Sequence, residues 1–344
     1  MSKDPLVSII IANYNGENYL KTCLKAVLAS TYRNFEVFLV DDGSTDASSS
    51  VIKRFAKKDS RIKLLRNKVN KGAAASRNIA FGLVKGRYLF FLDNDTEVDK
   101  NCLKRLVEFM GTHNDIGGCQ ALIYDFLDRR KIQNPGVKLW AASGWGLPIA
   151  RTKKELKKTK DYDIAAISAA LMVRKEAFNY INGFDELEAV VTEDLDFSWR
   201  MWLSGYKIVL VPDAKIFHWT KSVDMRENLG QDYVKIYFHL TKNSILSIYK
   251  NYELVNMIKY LFASCVISLS RSLLIVIKRR SFSSLIGTVK GLAWIIANLS
   301  TITKMRKKVQ SKRKLSDNML FNKILLKDNW LSIYKRYYST SGLL

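Results

Sequence analysis

Cysteine is scarce in this chain, and what there is cannot build a framework. Cys23, Cys102, Cys119 and Cys265 stand far apart and form no Cys-x-x-Cys pair. That excludes a disulfide-stapled fold and a thiolate zinc centre, and it fits free thiols in a reducing compartment. Histidine is scarcer still, at three residues, so any histidine at the end of a strand draws notice. The chain also lacks a long uncharged apolar run. Within Val255 to Ile277, which Lys259 and Arg271 interrupt, the longest uncharged run is Tyr260 to Ser270, well short of the roughly 20 residues a spanning helix needs. The first apolar run, Leu6 to Ala12, is short and leads into Asn13-Tyr14-Asn15-Gly16, so no signal peptide is expected. Acid is missing from one end. Residues 221–344 hold 22 Lys and Arg against 6 Asp and Glu, whereas 1–220 hold 34 against 26. That excess implies an anionic partner, either a phospholipid surface or a nucleic acid, although no recognisable nucleic-acid motif accompanies it.

What is present fits one large α/β domain with an appendage: 344 residues, 48% hydrophobic, net charge +24. Val7 to Ala12, Phe35 to Val40, Ile62 to Leu65 and Tyr88 to Leu92 are short apolar runs that read as buried strands. Helical spacing fills the gaps between them, as with Leu20, Leu24, Val27 and Leu28. Ser44 or Thr45 is placed to cap the helix through Val51, Ile52 and Phe55. Strand–helix alternation of this kind predicts a doubly wound sheet, whose ligands bind at the carboxyl ends of the strands. Those ends carry Asp41-Asp42, Gly72 and Asp93-Asn94-Asp95. Carboxylates cannot stay unpaired in the core, so they must emerge at that rim. Two acids one residue apart suit a hard divalent cation, although a polar turn closing a strand has the same sequence.

The middle is less regular. Gln133 to Ala150 reads as a long loop carrying Trp140 and Trp145, placed either to face a sugar or to pack on the core. Ile164 to Val173 reads as a strand and Gly183-Phe184-Asp185-Glu186 as a turn. Thr192-Glu193-Asp194 opens a helix, where the macrodipole alone would favour acids. Lys207 to Val211 is a strand, followed by His218. From residue 221 the pattern becomes helical, with stripes such as Leu285, Val289, Leu292, Ile296 and Leu299 flanked by Lys278-Arg279-Arg280 and the basic run from Lys304. Apolar stripes beside basic clusters predict helices that lie on an anionic bilayer, or a helical subdomain with a basic linker.

Taken in order, these motifs resemble a family-2 inverting glycosyltransferase of the GT-A fold, of the kind that extends lipid-linked glycans. The resemblance runs from about Val7 to His218 and rests on the ordered set: Asn13-Tyr14-Asn15, Asp41-Asp42-Gly43-Ser44-Thr45-Asp46, Asn70-Lys71-Gly72 with Arg77-Asn78, Asp93-Asn94-Asp95, Gly183-Phe184-Asp185-Glu186, Thr192-Glu193-Asp194 and His218. It implies a Rossmann-like sandwich with a mainly parallel sheet over 1–220 and a helical, basic, membrane-associated region over 221–344. It implies that Asn13, Asp41, Asp42, Gly72, Arg77, Asp93 and Glu193 line a nucleotide-sugar site, with a UDP-sugar as the expected donor. Asp93, Asp95 and His218 would hold Mg²⁺ or Mn²⁺, and Asp194 would be the general base. The expected acceptor is a lipid-linked glycan at the cytoplasmic face of the cell membrane. Arg200-Met201-Trp202 stands where polymerising synthases carry Gln-x-x-Arg-Trp, which argues against a processive enzyme. Three other readings compete: a polyprenyl-phosphate acceptor, a basic nucleic-acid-binding protein, and an inactive sugar-nucleotide scaffold.

Overall fold

The structure is a computed structural model that describes residues 4–159, 161–167, 169–219 and 233–326. Among these, one compact unit gathers 4–137, 148–201 and 206–219, and a second gathers 138–147, 202–205 and 233–326.

In the first unit, β1 (Val7–Asn13), α1 (Glu17–Leu28), β2 (Phe35–Asp42), α2 (Ser48–Lys58), β3 (Ile62–Asn67), α3 (Ala73–Phe81) and β4 (Tyr88–Asp93) alternate as the apolar runs predict. The chain continues through β5 (Thr96–Val98), α4 (Cys102–Thr112), β6 (Ile116–Asp125), β7 (Ile132–Asn134), β8 (Val137–Trp140), β9 (Gly146–Pro148), α5 (Lys153–Lys158), β10 (Ala170–Arg174), α6 (Lys175–Tyr180), α7 (Glu193–Leu203) and β11 (Lys207–His218). The main sheet runs β3-β2-β1-β4-β10-β6-β11-β5, with β7 paired to β6. Strands β1 to β4 are parallel, as are β6 and β11. β10 enters antiparallel between β4 and β6, and β5 and β7 pair antiparallel with β11 and β6, so the sheet is mixed. Alternation along each strand sends Ile9, Ile11, Val37, Leu39, Phe90 and Leu92 to one face of the sheet. Ile10, Phe38, Val40, Leu89 and Phe91 go to the other, where they meet Ala74, Phe178 and Phe197. Both faces are covered, which is why these strands read as continuous apolar runs.

The helix after β2 does not use the predicted cap. α2 starts after Ala47 with no side-chain cap, and Asp46 Oδ1 accepts from Ser48 N at 3.0 Å. Ser44 Oγ instead accepts from Asn13 Nδ2 and from the backbone of Asn15. The hydroxyl is thus tied to the end of β1 and holds two strand ends together.

The second unit holds α8 (Tyr233–Asn251), α9 (Leu254–Arg279), α10 (Ser283–Ala297), α11 (Leu299–Ser311), α12 (Asp317–Phe321) and β12 (Leu325–Leu326). The stretch read as a long loop is partly built into this unit. β8 pairs with β12, Trp140 is buried among Leu147, Tyr260 and Ala263, and Trp145 Nε1 donates to Ser244 Oγ at 2.7 Å. Trp140 is buried and Trp145 half-buried, with Arg271 over its ring, so both pack within this unit. Lys259 and Arg271 do not break α9, which over Leu254–Lys278 is long and apolar enough by length and composition to cross a membrane. α10 and α11 meet at a 72° bend.

Candidate active site

Parallel register gathers the site before any side chain is considered. Asn13 lies beside Asp41, Ala12 beside Asp93, and Asp41 beside Arg66. The last residues of β1, β2 and β4 therefore emerge at one rim. Asn13 is locked there, donating from Nδ2 to Ser44 Oγ at 3.1 Å and accepting from Asn94 Nδ2 at 2.7 Å.

The two acids ending β2 differ in what they have left to offer. Asp42 is buried and spends its oxygens on the protein, accepting from Asn67 Nδ2 at 2.7 Å, Lys71 N at 3.0 Å and Gly72 N at 2.8 Å. It pins the loop before α3. Asp41 Oδ1 takes only Ser44 N, at 3.3 Å. Its Oδ2 makes no hydrogen bond and lies 3.6 Å from Arg66 Nε. A buried acceptor without a donor is costly, so this atom is the one prepared for an N–H or O–H from outside. Gly72 closes the loop at φ +89°, and a Cβ there would sit 2.9 Å from Ala189 O, so a side chain is excluded on both counts.

The structure brings Asp93, Asp95 and His218 together. One oxygen of each acid and a nitrogen of the imidazole lie within 4.8 Å of one another. Antiparallel pairing of β11 with β5 sets His218 opposite Thr96, next to Asp95. His218 Nε2 lies 3.1 Å from Asp95 Oδ1, and its Nδ1 is 2.9 Å from Gln133 Oε1. An amide oxygen only accepts, so Nδ1 carries a proton and Nε2 is the atom turned to the acids. Burial lowers the pKa of His218, and the neighbouring Asp95, with Asp93 and Asp125, outweighs it and holds the value above the usual one. Two carboxylates and an imidazole oriented by a second partner make a donor set suited to a divalent ion such as Mn²⁺ or Mg²⁺. The site residues thus fit the cation that the sequence implied. Gln133 was not foreseen; it sits in a stretch read as loop, 85 residues from the ring it holds.

Arg77 takes a different place from the one expected of a nucleotide contact. Its side chain is 3% exposed. Nη2 donates to Asp93 Oδ1 and Nη1 to Glu193 Oε1, each at 2.9 Å, and the guanidinium lies over the Phe184 ring. Burial lowers its pKa; Asp93, Glu193 and Asp194 more than restore it. One buried cation thus ties the end of β4 to the first turn of α7, where Glu193 and Asp194 sit. α7 is anchored below by Phe197, stacked on Phe184 at 4.4 Å, which in turn meets Phe91 edge-on at 5.1 Å. Val191, just before the helix, is held at φ +89°, a strained value for a β-branched residue. Asp194 itself is buried.

A second acidic group, Asp185, Glu188 and Asp196, also falls within 4.8 Å. It surrounds a cation already in place: Arg200 Nε donates to Asp196 Oδ2 at 2.6 Å and Nη1 to the carbonyls of Ile181 and Gly183. Arg200 fastens the turn at Gly183 to α7 and offsets the charge of Asp196, while Asp185 Oδ1 and Glu188 Oε2 accept from Leu187 N and Thr192 Oγ1.

Comparison with known proteins bears on the family and the fold. The sequence pattern described as Glycosyl transferase family 2 matches residues 8–181. An uncharacterized glycosyltransferase of Haemophilus influenzae is 42% identical over 106 residues, 31% of this chain and 42% of that protein. The Escherichia coli protein named UDP-Glc:alpha-D-GlcNAc-diphosphoundecaprenol beta-1,3-glucosyltransferase WfaP is 41% identical over 107 residues, 31% of this chain and 42% of its own. The matched stretch thus spans less than half the length of these relatives. Among solved structures, Staphylococcus aureus TarS 1–349 in complex with UDP-GlcNAc shares the fold at 16% identity and TM-score 0.60, covering 89% of this chain and 87% of that one. GalNAc-T7 with UDP, GalNAc and Mn²⁺ does so at 18% identity and TM-score 0.66, covering 100% of this chain and 59% of that one.

Proposed function

The chain belongs to the family 2 glycosyl transferases and has their GT-A fold, and from that premise we propose that it moves a sugar, with inversion, from a nucleoside diphosphate sugar to a hydroxyl of a lipid-linked glycan at the cytoplasmic face of a membrane. The observation that carries this reading is the meeting, at one rim, of the Asp93–Asp95–His218 group with the acids opening α7, joined through Arg77.

Asp41, with an oxygen lacking a donor, receives the base or ribose of the nucleotide. Asp93, Asp95 and His218 Nε2 would hold a divalent cation, which would supply Lewis acidity toward a diphosphate leaving group. Asp194 takes the proton of the acceptor hydroxyl as it attacks from the opposite face, a contribution of about 10²–10⁴-fold. A single displacement with a single base inverts the anomeric centre, and no carboxylate nucleophile is needed. Arg77 keeps Asp93 and Glu193 in fixed relation, so the base helix and the cation strand move as one body. UDP is the expected carrier. The UDP-Glc in the name of the E. coli relative supports it, as does the UDP-GlcNAc in the TarS complex. The lipid-linked acceptor takes support from the diphosphoundecaprenol in the name of the E. coli relative.

Asp194→Asn tests the assignment. UDP release from a panel of UDP-sugars, with a polyprenol-linked glycan fraction as acceptor, should fall by about 10²–10⁴-fold in kcat, while donor KM stays near that of the wild type. Near-normal kcat would transfer the chemistry to an acceptor that is already ionised, a polyprenyl phosphate, and remove Asp194 as base.

A further inference from the structure

A helix on the surface of a water-soluble protein turns its apolar face inward and its polar face out. α9 does the reverse. Val255, Ile258, Phe262, Val266, Leu273 and Ile277 lie on its outward side at steps of three, four or seven residues, with Val255 at 79%, Phe262 at 75% and Ile277 at 74% exposure. Its inward side carries Ser264, Ser268 and Ser272, all buried. α10 repeats the inversion. Ile286, Val289 and Ile296 are exposed, while Ser284, Gly287, Thr288 and Gly291 are inside.

The inward faces bury Met257, Ile275 and Ile295 as well, and between these the helices pack through small residues. A Cβ on Gly287 would meet Val234 O of α8 at 2.4 Å, and one on Gly291 would meet Phe238 O at 3.0 Å, so α10 and α8 approach backbone to backbone. Hydroxyls join the rest: Ser272 Oγ and Thr288 Oγ1 are 2.6 Å apart, Ser284 Oγ donates to Ser272 O at 3.2 Å, and Thr241 Oγ1 donates to Thr288 Oγ1 at 3.3 Å. Close small-residue contacts and interhelical hydroxyl bonds are how helices associate where their outer surface faces hydrocarbon and not water.

Charge names the surface. Between Glu253 and Asp317 there is no acidic residue and there are 13 Lys and Arg. Lys259, Lys278, Arg280 and Lys290 are exposed beside the apolar stripes, and Lys304, Lys307 and Lys308 follow on α11. A nucleic acid would answer the charge and leave the stripes in water. An anionic lipid surface answers both.

We propose, deepening the membrane-surface reading above, that the outward faces of α9 and α10 lie in the plane of an anionic leaflet, embedded to about the depth of the acyl boundary. α9 is long enough to cross. α10 alone is not: its 15 residues reach about 22 Å against a core of about 30 Å, and α11 extends it only through the 72° bend. The turn between them begins at the basic Lys278-Arg279-Arg280, which an in-plane hairpin keeps at the headgroups. Lys259 and Lys290 reach the same level by extending their stems along the apolar surface.

The test is flotation of the full-length protein with phosphatidylcholine vesicles, with and without phosphatidylglycerol. The wild type should float with the anionic vesicles, lose part of that binding in high salt, and be released by alkaline carbonate. Phe262→Glu with Ile277→Glu should lower the partition coefficient by about tenfold or more, whereas Leu127→Glu, an equally exposed apolar site on the first unit, should not. Melting temperature and Mn²⁺-dependent UDP binding are measured on the same samples. Both should be unchanged in the double variant, so failure of the docking surface stays separate from failure of the glycosyltransferase reading. The proposal is overturned if the double variant floats like the wild type or if wild-type binding resists alkaline carbonate, which means spanning. It is also overturned if sedimentation shows a dimer that the double variant separates and that does not float.

Discussion

Replacing Arg77 by methionine should uncouple the base helix from the cation strand, and the structure sets the size of the effect. The guanidinium is 3% exposed and holds two carboxylates at 2.9 Å. They are not equal. Asp93 is 32% exposed, so water screens much of its attraction and its half of the bridge is worth about 1 kcal/mol or less. Glu193 is 10% exposed, and without Arg77 it is a buried acid lacking its cation. Removing one partner of such a pair costs about 3–5 kcal/mol, mostly from the charge left behind. For a unit of this size that lowers Tm by about 6–20 °C. Arg77→Met with Glu193→Gln removes the stranded charge as well, and should recover about 2 kcal/mol relative to Arg77→Met alone. Arg77→Lys should rescue only partly, because an ammonium cannot face both acids as a planar fork does. Denaturant unfolding of the four proteins, read as midpoint and slope, measures these differences. Arg77→Met within 1 kcal/mol (about one-fifth in equilibrium constant) of the wild type, or a double variant no more stable than the single, would refute the bridge as the link between β4 and α7.

Two further outcomes concern the cation group. A bound ion must displace the proton that His218 Nε2 shares with Asp95, and the pKa of His218 is held above its usual value. Mn²⁺ affinity, followed by calorimetry, should therefore rise by about tenfold per pH unit below that pKa and level off above it; a flat profile would remove His218 from the ligand set. Gln133→Leu should weaken Mn²⁺ by about 10–100-fold at constant pH with little change in Tm, and unaltered affinity would show that the ring needs no such orientation.

Much of the site was legible because β1, β2 and β4 are buried on both faces. Each reads as an apolar run that stops at a polar residue, and parallel register then does the gathering. Asp41, Asp93 and Asp95 were reached in this way, and Asn13 through the resemblance. Gln133 was not, since nothing local marks an amide that meets a ring 85 residues away. The same holds for Arg77, which was assigned to the nucleotide by resemblance but spends its two terminal nitrogens on partners 16 and 116 residues distant. The direction of β10 was hidden too, because Ala170 to Arg174 is apolar whichever way it runs. In the helical region, periodicity disclosed a stripe at Val289, Ile296 and Leu299 but not which side it faces. All three are exposed, and only the burial of Ser272, Thr288 and Gly291 reveals the inversion.

The central claim is that the rim holds a nucleotide through a cation carried by Asp93, Asp95 and His218. Calorimetric titration of UDP into wild-type protein and into Asp95→Ala, each with and without Mn²⁺, addresses it most directly. Wild-type binding should depend on Mn²⁺, and in Asp95→Ala the metal-dependent part should be lost while the melting temperature without metal is retained. Equal, metal-dependent affinity in both proteins would contradict the account.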